Sequence, residues 1–297
     1  LMGPDVSEVP GLSSVALDKF NMKSTGGKTS LHADVIFQNT AASIDVFHTA
    51  PDTAAVFAVT IKEELDFATL IPGNALSGAT LKKPAMLFVP DGQKLLPTDP
   101  SIPVGLRDNI ETVQNLMELA PNTPITNGIT ILAQVDISSN TTLTDLGVPK
   151  DKALPLLGTI SRDMFKEGAS AANKMAGTAL RLKLPDLKIP ALPDGTTISN
   201  AVLNISEAAT GATALTIRAN ASAENLFSFE GLSVTSVDLA ATYSNAAWAF
   251  GLKGGAQLNA TPLTYAMALG GETGQKGDYA VGFEAKTPGT LTVATLM

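Results

Sequence analysis

Cysteine is absent from the 297 residues, which removes disulfide frameworks, thiolate metal sites and cysteine nucleophiles together and leaves the redox compartment open. Charge is scarce too. Asp, Glu, Lys and Arg make up 16% of the chain, against roughly 25% in an average soluble protein. The 20 Lys and Arg residues are outnumbered by 28 Asp and Glu. Binding to a phosphate backbone is driven by clustered cations that displace counterions, so this balance argues against nucleic acid as a partner. No stretch reaches the ~20 apolar residues that a membrane helix needs, and the densest patch, Ala85 to Val89, is strand-sized. Aromatics are 5% of the chain, with one tryptophan, too few for the interfacial girdles of an outer-membrane barrel. The chain opens at Leu1 with neither an initiator methionine nor a basic-then-apolar leader, the expectation for a processed or excised start.

What is present is alternation. Trp248, Phe250 and Leu252, then Leu263, Tyr265, Met267 and Leu269, recur at every second residue, with Ala, Gly and Thr between them. That period predicts strands with one bulky and one small face. The bulky face should build the core, and the small face suits close approach of another layer or protomer. Turn signals at Gly26-Gly27, Pro90-Asp91-Gly92, Pro193-Asp194-Gly195 and Gly270-Gly271 separate the strands.

The chain also resembles itself. Gly11–Leu17 parallels Gly231–Leu239, Phe37–Phe47 parallels Leu258–Met267, and Val56–Ile71 parallels Tyr279–Met297, the last pair closing on Ala-Thr-Leu and an apolar residue. Weaker echoes run from Ile198 to Ala221 and from Leu76 to Val89. Leu-Met both opens and closes the sequence, as one unit of a tandem array would. Between the repeats, Leu106, Ile110, Val113, Leu116, Met117 and Ala120 fall at helical spacing between Pro103 and Pro121, which predicts a helix over 106–120. A second candidate, 163–177, is weakened by Gly168, and the proline-rich 96–105 reads as a connector. The expected fold is mainly β, a duplicated β-sandwich or curved antiparallel sheets with one or two short helices inserted in the middle. Residues 1–95 form a first β module, 96–190 a connector with the helix and further strands, and 191–297 a second module related to the first.

Each chemical motif has a plainer reading beside it. In Ser24–Ser30, Gly27-Lys28-Thr29 matches the end of a phosphate-binding loop, but that loop needs its first glycine at position 22, where Met22 stands. It also needs a following helix whose amides receive the phosphate, whereas Ser30–Phe37 alternates like a strand. A hairpin turn is therefore expected, and Gly270–Gly277 fails the same test. His32 and His48 could share a site with Asp34 or Asp45, yet no metal-ligand spacing links them, so solvated or hydrogen-bonded histidines are expected. Glu63 and Glu64 are adjacent and should charge an edge rather than act as a pair. Trp248 fits a core strand, and four N-x-Ser/Thr acceptors stand at Asn140, Asn204, Asn220 and Asn259. No catalytic residue, cofactor or metal site emerges.

These features predict a non-enzymatic structural module that self-associates into a filament, sheet, shell or surface layer, with an extracellular or cell-surface setting favoured. Burial of low-charge faces and strand addition at open edges would drive it, with Leu291, Val293 and Leu296 in the donor segment. The alternative is a carrier of lipid or another apolar ligand held between the bulky face and the helix at 106–120. A hydrolase whose dispersed acids meet only in space is a third reading.

Overall fold

Apolar residues at every second position favour extended backbone, because alternate side chains then share a face that can be buried. In the computed structural model of the chain these segments are strands. It describes residues 17–25, 28–37, 40–51, 53–70, 76–161, 170, 173, 175–188, 196–207, 213–223, 232–244, 247–258, 261–269 and 279–285. The elements are β1 (Leu17–Thr25), β2 (Lys28–Phe37), β3 (Thr40–Phe47), β4 (Val56–Ile61), β5 (Leu65–Asp66), α1 (Phe67–Leu70), β6 (Thr80–Leu95), α2 (Val104–Leu116), β7 (Ile125–Asp136), α3 (Thr141–Asp145), β8 (Leu154–Thr159), β9 (Ala179–Lys183), β10 (Thr196–Glu207), β11 (Thr213–Ala223), β12 (Leu232–Ser244), β13 (Ala247–Leu258), β14 (Thr261–Leu269) and β15 (Tyr279–Ala285). Fourteen of the fifteen strands form an antiparallel sheet whose hydrogen-bonded order is the chain order, while the short β5 pairs with β6. The expected mainly β, antiparallel character is what the chain adopts.

Two compact units divide the chain. One comprises Leu1–Asn140, Lys150–Lys183 and Ile205–Thr213, the other Thr141–Pro149, Leu184–Asn204 and Ala214–Met297.

In the first unit the core lies where α2 covers one face of the sheet. Leu106, Ile110 and Val113 form a single stripe because residues three and four apart stack on one side of a helix. They pack with Val56 and Ala58 of β4, Leu87 of β6 and Leu132 of β7. On the opposite face Val59, Met86 and Ile131 are also buried. β4 is consequently buried at five of its six positions, and its sequence is an apolar run broken only by Thr60 rather than an alternation.

The helix differs from expectation at both ends. It starts two residues earlier, at Val104, and stops at Leu116 rather than Ala120. The stop has a local cause: Glu118 takes a left-handed conformation at φ 55°. The Leu119 amide then reaches back to the Gln114 carbonyl (3.1 Å) and the Glu118 amide to that of Asn115 (3.0 Å). This paired arrangement satisfies carbonyls that the helix end would otherwise orphan. Lys183 holds the Glu118 carboxylate at 2.8 Å. Leu116, read as part of the apolar stripe, is exposed, whereas Met117 is buried. The proline-rich connector is fastened by Arg107, whose Nη2 donates to the carbonyls of Asp99, Pro100 and Ile102. Most of the second helix candidate lies outside the described residues.

Another difference concerns Pro90-Asp91-Gly92. These residues do not turn the chain; they lie within the sixteen-residue β6, whose pairing with β7 shifts between Val89 and Lys94. A second shift, between Lys82 and Ala85, contains Pro84. Proline has no N–H to give a ladder, so inside a sheet it is accommodated where a bulge interrupts pairing. The strand bends at both sites and continues.

In the second unit the two-faced reading holds through β12, β13 and β14. Val237, Leu239, Trp248, Phe250, Leu252, Leu263, Tyr265 and Met267 are buried. Trp248 Nε1 donates to the Thr142 carbonyl at 3.4 Å, and Leu143, Leu146 and Val148 of the same segment are buried. The indole ring also stacks near Phe250, with centroids 6.4 Å apart. Gly254 faces Tyr265 in register, next to a pairing shift between Val234 and Ser236. A Cβ at Gly254 would collide with the Ser236 carbonyl oxygen. Because glycine leaves this space open, Tyr265 lies across it and its hydroxyl donates to that same carbonyl at 3.2 Å.

Loop lengths recur between the two ends of the chain. β1 to β4 are joined by Gly26–Gly27, Gln38–Asn39 and His48–Ala55; β12 to β15 are joined by Asn245–Ala246, Asn259–Ala260 and Gly270–Asp278. Each set is two residues, two residues and one longer connection.

Candidate functional site

The register resolves the glycine motif first. Thr25 lies opposite Lys28, and β2 pairs antiparallel with β1 over its length. Gly26 and Gly27 are themselves outside the described residues, but they link two hydrogen-bonded strands. Lys28 opens a strand, so no helix N-terminus is present there to receive a phosphate.

Polar side chains do gather on the neighbouring strands. His32 faces Asp45 across β2 and β3, and the two are joined at 2.7 Å between Nδ1 and Oδ1. Asp34 lies two residues along β2, on the same side, with its Oδ1 3.7 Å from His32 Nε2 and 2.5 Å from Lys62 Nζ. The result is a row of polar side chains, Lys62, Asp34, His32, Asp45, in which Asp45 is buried. A buried carboxylate needs a donor, and His32 provides one. His48 does not join this row; its Nδ1 contacts the Thr53 carbonyl at 2.7 Å inside the β3–β4 loop. Among the described residues no group of three or more His, Asp or Glu side chains converges on a point where a metal could sit.

The remaining suspects occupy structural places. Glu63 and Glu64 are exposed in the bend between β4 and β5 rather than on a strand. Asn140, one of the four glycosylation acceptors, is 1% exposed and donates to the Ser77 carbonyl at 2.8 Å. Modification there would require opening the fold. It anchors the residues around Gly78, whose φ is +78° and where a Cβ would press on the Ser139 carbonyl. Leu291, Val293 and Leu296 lie outside the described residues.

Two surfaces are left. The outward face of the second unit carries Ala240, Thr242, Ala249, Gly251, Ala266 and Ala268, all exposed or half-buried, in cross-strand rows set by the β12–β13–β14 register. Asp238 and Lys253, opposite one another, bring charge of both signs to one end of it. They and Thr264, Gly282 and Glu284 line an open depression of about 540 Å³. The other surface is the edge strand β1, where Phe20 and Met22 are 65% and 62% exposed. The alternation of Phe20 and Met22 with Asn21 and Lys23 is a legible signal for this edge, one that a search for catalytic motifs passes over.

No family model, curated protein or solved structure matches the chain.

Proposed function

We propose that the chain is a non-enzymatic structural module that associates with copies of itself into a filament, sheet, shell or surface layer outside the cell, built from a duplicated meander and used as one unit of a tandem repeat. The observation that carries this reading is the outward face of β12 to β14. Exposed strands usually carry charge that keeps other sheets away. Here side chains no longer than threonine fill most of three adjacent strands, so another layer can approach without desolvating many ions.

Duplication draws support from the elements. Setting Phe37–Phe47 beside Leu258–Met267 places the last residue of β2 on the last of β13, and Thr40 on Thr261, the first residues of β3 and β14. The companion pairing sets Val56, which opens β4, on Tyr279, which opens β15. Repeated sequence and repeated hairpin spacing thus agree.

A carrier of apolar ligands would need room beneath α2, and there Leu106, Ile110 and Val113 are packed against side chains of β4, β6 and β7. That filled space favours the scaffold. Electron microscopy of concentrated protein, alongside sedimentation, is the test: ordered polymers are expected. Monodisperse monomers across salt and pH would overturn the reading, and co-purifying lipid in such monomers, detected by native mass spectrometry, would install the carrier in its place.

A further inference from the structure

We infer that copies join head to tail by continuing the sheet, the free edge of β1 in one copy pairing with the free edge of β15 in the next. The inference rests on the self-association reading and adds to it the two strands that meet and the sense in which they do so.

Among the described residues β1 pairs on one side only, with β2, and β15 on one side only, with β14. Each therefore offers a row of backbone donors and acceptors to a further strand. They are nine and seven residues long.

The apolar face of the first unit also stops short at β1. Phe20, Ala33, Ile44 and Val59 form one cross-strand row in register. Val59, Ile44 and Ala33 in that row are buried, whereas Phe20 at its end is 65% exposed, and Met22, on the same side of β1, is nearly as open. Long, uncharged, apolar positions on an edge strand are ones that proteins usually protect or pair. A strand laid against β1 would continue the row and cover both side chains.

β15 has the composition for that place. Its sequence alternates Tyr279, Val281 and Phe283 with Ala280, Gly282 and Glu284, and the register sets Val281 beside Met267 and Phe283 beside Tyr265, both of which are buried. Matching apolar side to apolar side puts Val281 and Phe283 alongside Phe20 and Met22. With the strands antiparallel, Phe20 opposite Phe283 and Met22 opposite Val281, the acidic Glu284 comes opposite the basic Lys19 on the polar side.

Direction is set by the number of strands. Fourteen strands of alternating sense lie on the path, so a next copy presenting the same face enters with β1 antiparallel to the preceding β15, as at the other junctions. Pairing β1 with β1 of a second copy about Asn21 would instead set Lys19 opposite Lys23, two like charges, which destabilises a cross-strand pair. A head-to-tail contact leaves one free edge at each end and therefore propagates.

The test uses the full chain and follows mass against concentration by sedimentation velocity. F20K/M22K alters side chains already largely in solvent, so circular dichroism should match the parent, while the concentration for half-assembly should rise about tenfold or more, the scale expected when a central apolar contact is lost. K19E and E284K should each weaken assembly, and K19E/E284K should restore it. Assembly of F20K/M22K at the parental concentration would overturn the role of β1 while leaving self-association intact. Loss of assembly in F20K/M22K without rescue in the double charge exchange would overturn β15 as the partner. A parent chain that stays monomeric throughout would remove the underlying reading itself.

Discussion

Tyr265 shows how much one residue can organise in a sheet this poor in aromatics. It occupies the space that Gly254 leaves, and its hydroxyl fixes the Ser236 carbonyl at the point where β12 and β13 change register. An aromatic lying over a cross-strand glycine restores the packing that glycine lacks. Burial, reinforced by the nearby Asp238 carboxylate, pushes the phenol up to about 12 from an ordinary value of 10.0. A raised pKa means that the neutral form is favoured by folding. The stability this contributes is full below about 10 and is lost as pH rises through about 12. Of the three tyrosines, Tyr265 should ionise late in an ultraviolet phenolate titration, and Y265F should abolish that late component. Chemical denaturation should place Y265F about 1 kcal/mol below the parent, the worth of one hydrogen bond, and G254A about 1–3 kcal/mol below it, because the added methyl meets backbone. A G254A protein as stable as the parent would show that the strands part there without cost.

Helix α2 covers the first unit's sheet with one stripe, and Ile110, at its centre, is fully buried. I110A should cost about 2–5 kcal/mol, as truncations at sites that cannot collapse do, measured as a shift in denaturation midpoint with an unchanged slope. An effect below the range for exposed substitutions would mean that the helix packs loosely. The stripe itself was legible in the sequence, because Leu106, Ile110 and Val113 keep a period that only a helix uses. Its end was not legible: nothing about Glu118 advertises a left-handed residue, and the partner that holds its carboxylate, Lys183, is far along the chain. Pro90-Asp91-Gly92 misled for a related reason. Proline and glycine mark a break in regular pairing, but whether the chain reverses or merely bulges depends on the strand opposite, here β7. The two-faced strands of the second unit were legible because burial of a half-exposed sheet is written into every second residue. The His32–Asp45 contact could be posed from sequence and settled only by the β2–β3 register.

For the molecule as a whole the scarcity of charge makes individual ion pairs conspicuous. Lys82 and Asp136 link β6 to β7 at 2.7 Å. The Lys82 ammonium, with the Ser138 amide and hydroxyl, holds the Asp136 carboxyl down at about 2 from an ordinary 3.8. Since folding lowers this pKa, the stabilisation is present above about 4 and disappears as pH falls through about 2. Thermal melts across that window should steepen in the parent and be flatter in D136N, and parallel acid profiles would dismiss the pair. The same scale brings out the order of the sheet. Each strand on the path pairs with the ones before and after it, so the sheet is an up-and-down meander. The natural increment of such an architecture is a hairpin. Inserting or deleting one pair of strands would leave every later segment running in its former direction with its former side inward, so the chain can lengthen over evolutionary time without its existing core being rewritten.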